Sequence, residues 1–304
     1  MSTERAWLID ASIYIFRAWF SLPADRWYTH SGQPVHAVYG YTKFLLDFID
    51  ETGKAFMGAA AFDESLGSNY RNDIYPAYKS SRELPDADLA FQLQACREMT
   101  ERLGIACYGG SRYEADDYLA SLARVCGELQ MPVTVVTRDK DLGQIMQGPT
   151  DYWWDYAQGE RLDCSAFKQK FGVQPHQFAD YLALVGDPVD DIPGVPGIGA
   201  KTAARLLQTF DNLDALAKGL GRVQELDIRG AARVKRQLQE HWPQVLLARQ
   251  LTALEANIPE VGAVPNFALT GEGARSALDY LSELNLVGPL TRRCQQFVRE
   301  LSAT

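Results

Sequence analysis

The residues with chemistry to offer are acidic. Asp10, Asp63, Glu114, Asp116, Asp117, Asp139, Asp141, Asp187 and Asp190 are spread over the first two thirds of the chain, several of them directly after a short apolar run. Taken singly, each suits a helix cap, a turn or a solvated face, and Glu114, Asp116 and Asp117 would favour the positive end of a helix dipole. Brought to one rim, so many carboxylates repel one another and disturb each other's titration unless cations neutralise them. All-oxygen ligand sets suit hard divalent ions such as magnesium or manganese, which keep several waters and accept phosphate oxygens as further ligands. Two such ions roughly 4 Å apart are a known route to phosphodiester hydrolysis.

Two further segments bear on phosphate. Residues 186–205, GDPVDDIPGVPGIGAKTAAR, resemble a nucleotide phosphate loop only superficially: Gly194 and Gly199 have the spacing, but Ala200 precedes Lys201 and Thr202, and no strand is expected before the prolines. A better account makes Gly197, Ile198 and Gly199 a tight turn between two helices. The unhindered amides of Gly197 to Thr202 would then face a backbone phosphate, with Ala200 and Lys201 opening the next helix. Contacts of that kind are independent of base sequence. In residues 70–82, Arg71, Lys79 and Arg82 alternate with Tyr70, Tyr75 and Tyr78. Such interleaving fits a channel for a single strand, where cations meet phosphates and rings stack on bases, and it also fits a solvated helix face. The basic run of Arg229, Arg233, Lys235 and Arg236 could track duplex phosphate, but such a run is more often a solvated helix face.

The acids need elements to position them. Residues 6–9, 57–62 and 133–137 read as strands, each ending at or just before a carboxylate, and they alternate with helical patterns as in a parallel sheet. In such sheets the crevice lies outside the carboxyl ends of the strands, so acids far apart in sequence meet there. Residues 114–129 carry the apolar period of a helix packed on the sheet, with an acidic first turn. After an edge-like segment at 151–156 the pattern turns helical, with 175–185 and 201–210 flanking the Gly/Pro-rich stretch. We expect an α/β core over residues 1–165 and a helical lobe over 166–304.

Bulk properties exclude other classes. Hydrophobic content of 46% and charged content of 23% are those of a folded globular protein, and the longest apolar run, residues 55–62, is far too short to cross a bilayer. No apolar signal segment is present, so a cytoplasmic protein is expected. Five cysteines without C-x-x-C spacing suit neither a disulfide framework nor a zinc site, and the four histidines lack ligand spacing. A net charge of −9 argues against a polyanionic partner until the nine candidate ligands are set aside, which leaves a balance of 0.

In combination the motifs are specific. LIDASIYIFRAWF at 8–20, FDESLGSNYR at 62–71, YKSSR at 78–82, YEADD at 113–117, TRDKDL at 137–142 and GDPVDDIPGVPGIGAKTA at 186–203 resemble the 5′ nuclease domain of bacterial DNA polymerase I and the related flap endonucleases, over nearly the whole chain. The resemblance implies a PIN-like parallel-sheet core, a helical arch at about 64–95 and a helix-three-turn-helix (helix-hairpin-helix) DNA clamp. It assigns Asp10, Asp63, Glu114, Asp116 and Asp117 to a first metal and Asp139, Asp141, Asp187 and Asp190 to a second. It makes Lys79, Arg82 and Arg71 arch cations that polarise the scissile phosphate and hold a 5′ strand, with Tyr78 stacking on a base. It also implies potassium in the clamp on the carbonyls of Leu184, Val185, Pro193, Val195 and Ile198. The expected substrate is DNA with a 5′ flap, nick or 5′ end, and the expected protein a stand-alone monomer. A scaffold that has lost metal chemistry and a PIN-like ribonuclease are the competing readings. The second lacks the clamp of Gly197 to Thr202. Ala11, the longer segment from Asp63 to Arg71, and Asp191 in place of the usual asparagine depart from the family pattern, and none removes a carboxylate.

Overall fold

The computed structural model describes residues 5–65, 67 and 69–302. Its first half alternates strand and helix: β1 Ala6–Asp10, α1 Ala11–Ser21, α2 His36–Thr52, β2 Ala55–Ala61, α3 Tyr70–Ile74, α4 Ala87–Arg102, β3 Cys107–Tyr108, α5 Ala115–Glu128 and β4 Val133–Val136. A parallel strand β5, Tyr152–Asp155, and an antiparallel β6, Glu160–Leu162, extend the sheet, which runs β3-β2-β1-β4-β5-β6. Helices α6 Cys164–Phe171, α7 Phe178–Val185, α8 Ala200–Phe210, α9 Leu213–Lys218 and α10 Ala231–Thr252 follow. A two-stranded hairpin, β7 Gly186–Asp187 with β8 Ile192–Pro193, sits between α7 and α8.

Alternation along β1 explains the layering. Ala6 and Leu8 face a core built with α5 and the helices of the second half, whereas Ile9 packs into a second core with α1, α2 and α4. Strand order places β1 and β4 side by side where the chain's winding reverses, and β1 is in register with both neighbours, Ile9 opposite Ala60 and Val136. Asp10, Asp63 and the loop after Val136 therefore leave the sheet at the same edge, at the switch point where open parallel sheets form ligand crevices.

One expectation needs correction. The end of the chain does not belong to the helical lobe: β9 Asn266–Ala268 pairs antiparallel with β2 through Phe56 and Phe267, and α11 Gly271–Glu283 and α12 Pro289–Ser302 join the second core beside α2 and α4. In the arch segment, helix is limited to α3 and the start of α4. Tyr75, held extended before Pro76, stops α3, and the chain continues in turns and then without regular structure to Asp86, the N-cap of α4. Among the described residues no helix is long and apolar enough to cross a membrane.

Candidate active site

Each acid is aimed by a local device. Asp10 caps α1 by accepting from the Ile13 amide at 3.3 Å, and its other oxygen accepts from Thr137 Oγ1 at 2.8 Å. The same hydroxyl accepts from the Asp139 amide, so Thr137 ties the ends of β1 and β4 together. Asp63 accepts from the Ala115 amide at 3.0 Å, and its own amide donates to Ser12 Oγ. Glu114 is the N-cap residue of α5, which turns Asp116 toward the same rim. Asp139 accepts from the Asp141 amide, and Asp187 accepts from the Val189 amide within the hairpin turn.

The electrostatics are those of crowded, half-neutralised carboxylates. Burial pushes Asp10 up to about 7, helped by Asp63 and Asp139 and opposed by Thr137. Burial and Asp139 push Asp141 up to about 7 as well. Asp116 lies well above the carboxylate range because of burial and the charges of Asp139, Asp10 and Asp63. Burial also raises Asp63, with Glu114 adding to it, and raises Asp190 despite Lys79 and Arg82. Glu114 is the exception: burial would raise it, but Lys79 and Arg71 outweigh that and hold it low.

Cations already occupy parts of the rim. Lys79 Nζ lies 2.7 Å from Glu114 and 3.6 Å from Asp190, Arg82 2.7 Å from Asp190, and Lys140 3.2 Å from Asp141 and 3.6 Å from Asp187. Among the described residues no group of three or more His, Cys, Asp or Glu is arranged to hold a metal ion. A magnesium site has little need of such a group, since that ion keeps its waters and takes phosphate oxygens. The donor set still fits a hard divalent cation: it is all oxygen, confined to one rim, and short of positive charge to balance its buried carboxylates. A cleft of about 480 Å³ opens beside it, lined by Asp139, Asp141, Asp187, Asp190, Arg82 and Lys140 among others.

Three sequence assignments fare differently. Asp117 is fully buried, and both its oxygens are engaged by Arg71, at 2.8 and 2.7 Å, as well as by the amides of Glu114 and Glu255. It therefore stands apart from the other eight acids. Arg71, 1% exposed, faces inward onto Asp117 of α5 rather than toward a strand. Tyr78 is also buried, with its hydroxyl donating to Glu114 at 3.0 Å, so its ring is not presented for stacking. Lys79 and Arg82 do reach the rim. Lys79 adopts φ 53°, unusual for a side-chain-bearing residue, and its amide donates to the Asp190 carbonyl at 3.1 Å. Asp191, at φ 57°, accepts from the Ser81 amide; after glycine, asparagine and aspartate are the residues that best tolerate this left-handed position.

In the clamp, Gly197 turns the chain at φ 80°, the buried Ile198 plugs the core, and Gly199 opens α8 without a side-chain cap. Lys201 is exposed and Thr202 half-buried there. Gly186 and Gly194 cross so closely that a Cβ on Gly194 would lie 2.2 Å from the Val185 carbonyl oxygen. Of the carbonyls assigned to potassium, that of Leu184 accepts from the Val195 amide, that of Val195 from the Ile198 amide, and that of Pro193 from Gln244 Nε2 at 3.3 Å. Each keeps a second lone pair. Sequence reasoning missed Thr137, Ser12, Asn69, which donates to Glu114 at 2.9 Å, and Gln244. Thr137 and Lys140 lie inside the TRDKDL motif and could have been weighed; Gln244, in the middle of α10, carries no signal.

Comparison with known proteins finds relatives in sequence and in fold. DNA polymerase I of Pseudomonas aeruginosa is 35% identical over 279 residues, covering 91% of this chain and 30% of that protein. The thermostable DNA polymerase I of Thermus aquaticus is 33% identical over 255 residues, covering 84% and 29%. The chain thus spans about a third of the curated relatives it matches. Bacteriophage T5 5′-exonuclease, solved with bound zinc, shares the fold with a TM-score of 0.65 at 15% identity, covering 98% of this chain and 99% of that one. The catalytic core of Rad2, solved with a DNA substrate, does so with a TM-score of 0.60 at 15% identity, covering 99% and 93%. Residues 5–172 match the model of the 5′-3′ exonuclease N-terminal resolvase-like domain and residues 173–274 that of its C-terminal SAM fold, so the chain belongs to the 5′-3′ exonuclease family.

Proposed function

We propose that this protein is a divalent-metal-dependent 5′ nuclease that hydrolyses phosphodiester bonds at 5′ flaps, nicks or 5′ ends of duplex DNA by a two-metal mechanism. The observation that carries the reading is the gathering of Asp10, Asp63, Glu114, Asp116, Asp139, Asp141, Asp187 and Asp190 at one sheet edge, with Lys79 and Arg82 reaching in from the segment above. Zinc in the T5 exonuclease and DNA in the Rad2 core lend it support.

Asp10, Asp63, Glu114 and Asp116 would hold one ion and Asp139, Asp141, Asp187 and Asp190 the other. Magnesium or manganese bound there would supply charge neutralisation and Lewis acidity toward water and the leaving oxygen. Lys79 and Arg82 would exchange their carboxylate partners for the scissile phosphate and polarise it. The amides at the start of α8, with Lys201 beside them, would hold duplex backbone without reading bases, and potassium on the carbonyls of Leu184, Val185, Pro193, Val195 and Ile198 would brace that turn. Polarity toward the 5′ end rests on the segment over residues 76–86, which closes one side of the rim.

The test is incubation with magnesium and a labelled 5′ flap, a nicked duplex or a matched RNA strand, with Asp116→Ala as control. Cleavage of the DNA substrates that Asp116→Ala abolishes is expected. Cleavage indifferent to that substitution, or confined to RNA, rejects the reading in favour of a scaffold or a ribonuclease.

A further inference from the structure

Among the described residues Arg71 is the bulkiest of the fully buried side chains, and it donates four side-chain hydrogen bonds within the protein. Two join it to Asp117, and two more reach the carbonyls of Leu251, at 2.9 Å, and Ala253, at 3.0 Å, where α10 ends. Asp117 accepts in turn from the amides of Glu114 and Glu255. One ion pair thus touches three elements: the base of the 70–86 segment, the first turn of α5, and the exit from α10. The same α10 bears on the clamp at its other stretches. Gln244 donates to the Gly194 carbonyl at 2.8 Å, and Arg233 approaches Gly197.

We infer that Arg71 and Asp117 act as a positioning pair that transmits the seating of α10 on the clamp to Glu114 and Lys79 at the acid rim, and that neither touches metal or DNA. A fork-to-fork guanidinium–carboxylate pair fixes direction as well as distance, which a hydrophobic plug of the same volume does not. Arg71 also approaches Glu114 to 3.5 Å, and Glu114 in turn receives Lys79. A shift of α10 therefore reaches the rim through two side chains. The inference rests on the nuclease reading for its consequence and on geometry alone for the link.

The experiment compares the wild type with Asp117→Asn, Arg71→Lys and the double variant Arg71→Met/Asp117→Leu, whose apolar pair can fill the buried space. Thermal unfolding reports folding, anisotropy in calcium reports duplex binding, titration with manganese reports ion stoichiometry, and flap cleavage gives kcat and KM. We expect the double variant to fold, to bind duplex and manganese as the wild type does, and to lose about 10- to 100-fold in kcat with little change in KM. Arg71→Lys should fall between. An unchanged kcat in the folded double variant overturns the inference, and so does loss of a manganese equivalent in Asp117→Asn. Should the double variant fail to fold, Asp117→Asn decides alone by the same two readouts. If the wild type cleaves no DNA, the nuclease reading fails separately. The link is then read as slowed hydrogen exchange at residues 115–118 when duplex binds the wild type, and no slowing overturns it.

Discussion

Replacing Lys140 by methionine should tighten divalent-ion binding at the rim. The lysine amine lies 3.2 Å from Asp141 and 3.6 Å from Asp187, so it neutralises two acids that an incoming ion would need. Its side chain is 44% exposed, whereas those of Asp141 and Asp187 are 18% and 9% exposed, so solvent screens the lysine more than its partners. Each such pair is worth about 0.2–1 kcal/mol after screening. Removing both frees roughly 1 kcal/mol for the competing ion, or about a fivefold lower Kd. Methionine keeps the unbranched stem, so the change isolates the charge. Calorimetric titration with manganese at low ionic strength measures the effect, and added salt should shrink it. Equal or weaker manganese binding by Lys140→Met would refute the view that this lysine holds the place of an ion.

Other substitutions separate framework from chemistry. Gly194→Ala drives a methyl into the Val185 carbonyl and should cost about 1–3 kcal/mol in thermal unfolding, whereas Gly199→Ala, whose Cβ meets nothing within 4 Å, should leave stability unchanged. Lys79→Ala should slow single-turnover cleavage more than it weakens duplex binding, and Lys201→Ala the reverse, with the salt slope of binding reduced by about 1. The opposite ranking would overturn that division of labour. Magnesium at ten times its Kd should stabilise the fold by about 1.4 kcal/mol, and a chelator should reverse the gain without unfolding the chain; a melting temperature indifferent to magnesium contradicts the ion site.

How far the sequence could be read depended on the range of the interaction concerned. Asp10, Asp63 and Asp139 follow apolar runs that a parallel sheet buries on both faces, so strand ends and acid rim were legible together. The turn before α8 was legible too, because Gly197 and Gly199 mark it and its requirements are local. Arg71 was misread because its environment is built by the carbonyls of Leu251 and Ala253, far along the chain, and an arginine among tyrosines looks the same buried or exposed. Tyr78 failed for the same reason. The strand Asn266–Ala268 is too short to show any period, and its pairing with Ala55–Met57 depends on the sheet already being there. The segment at 151–156 was legible as extended chain but is not the edge it was expected to be, since the added strand Glu160–Leu162 covers its outer side.

The core on the α5 side has no seam. Leu8 of the sheet, Leu119 of α5, Leu184 of α7, Leu206 of α8 and Leu238 of α10 belong to one continuous buried cluster. Clamp and acid rim are consequently two marks on a single rigid gauge rather than two bodies on a hinge. A duplex gripped at Gly197 would have its cut counted from that grip, at an interval set by packing, and loosening the core at Leu206 or Leu238 would scatter the cut positions before it abolished cutting.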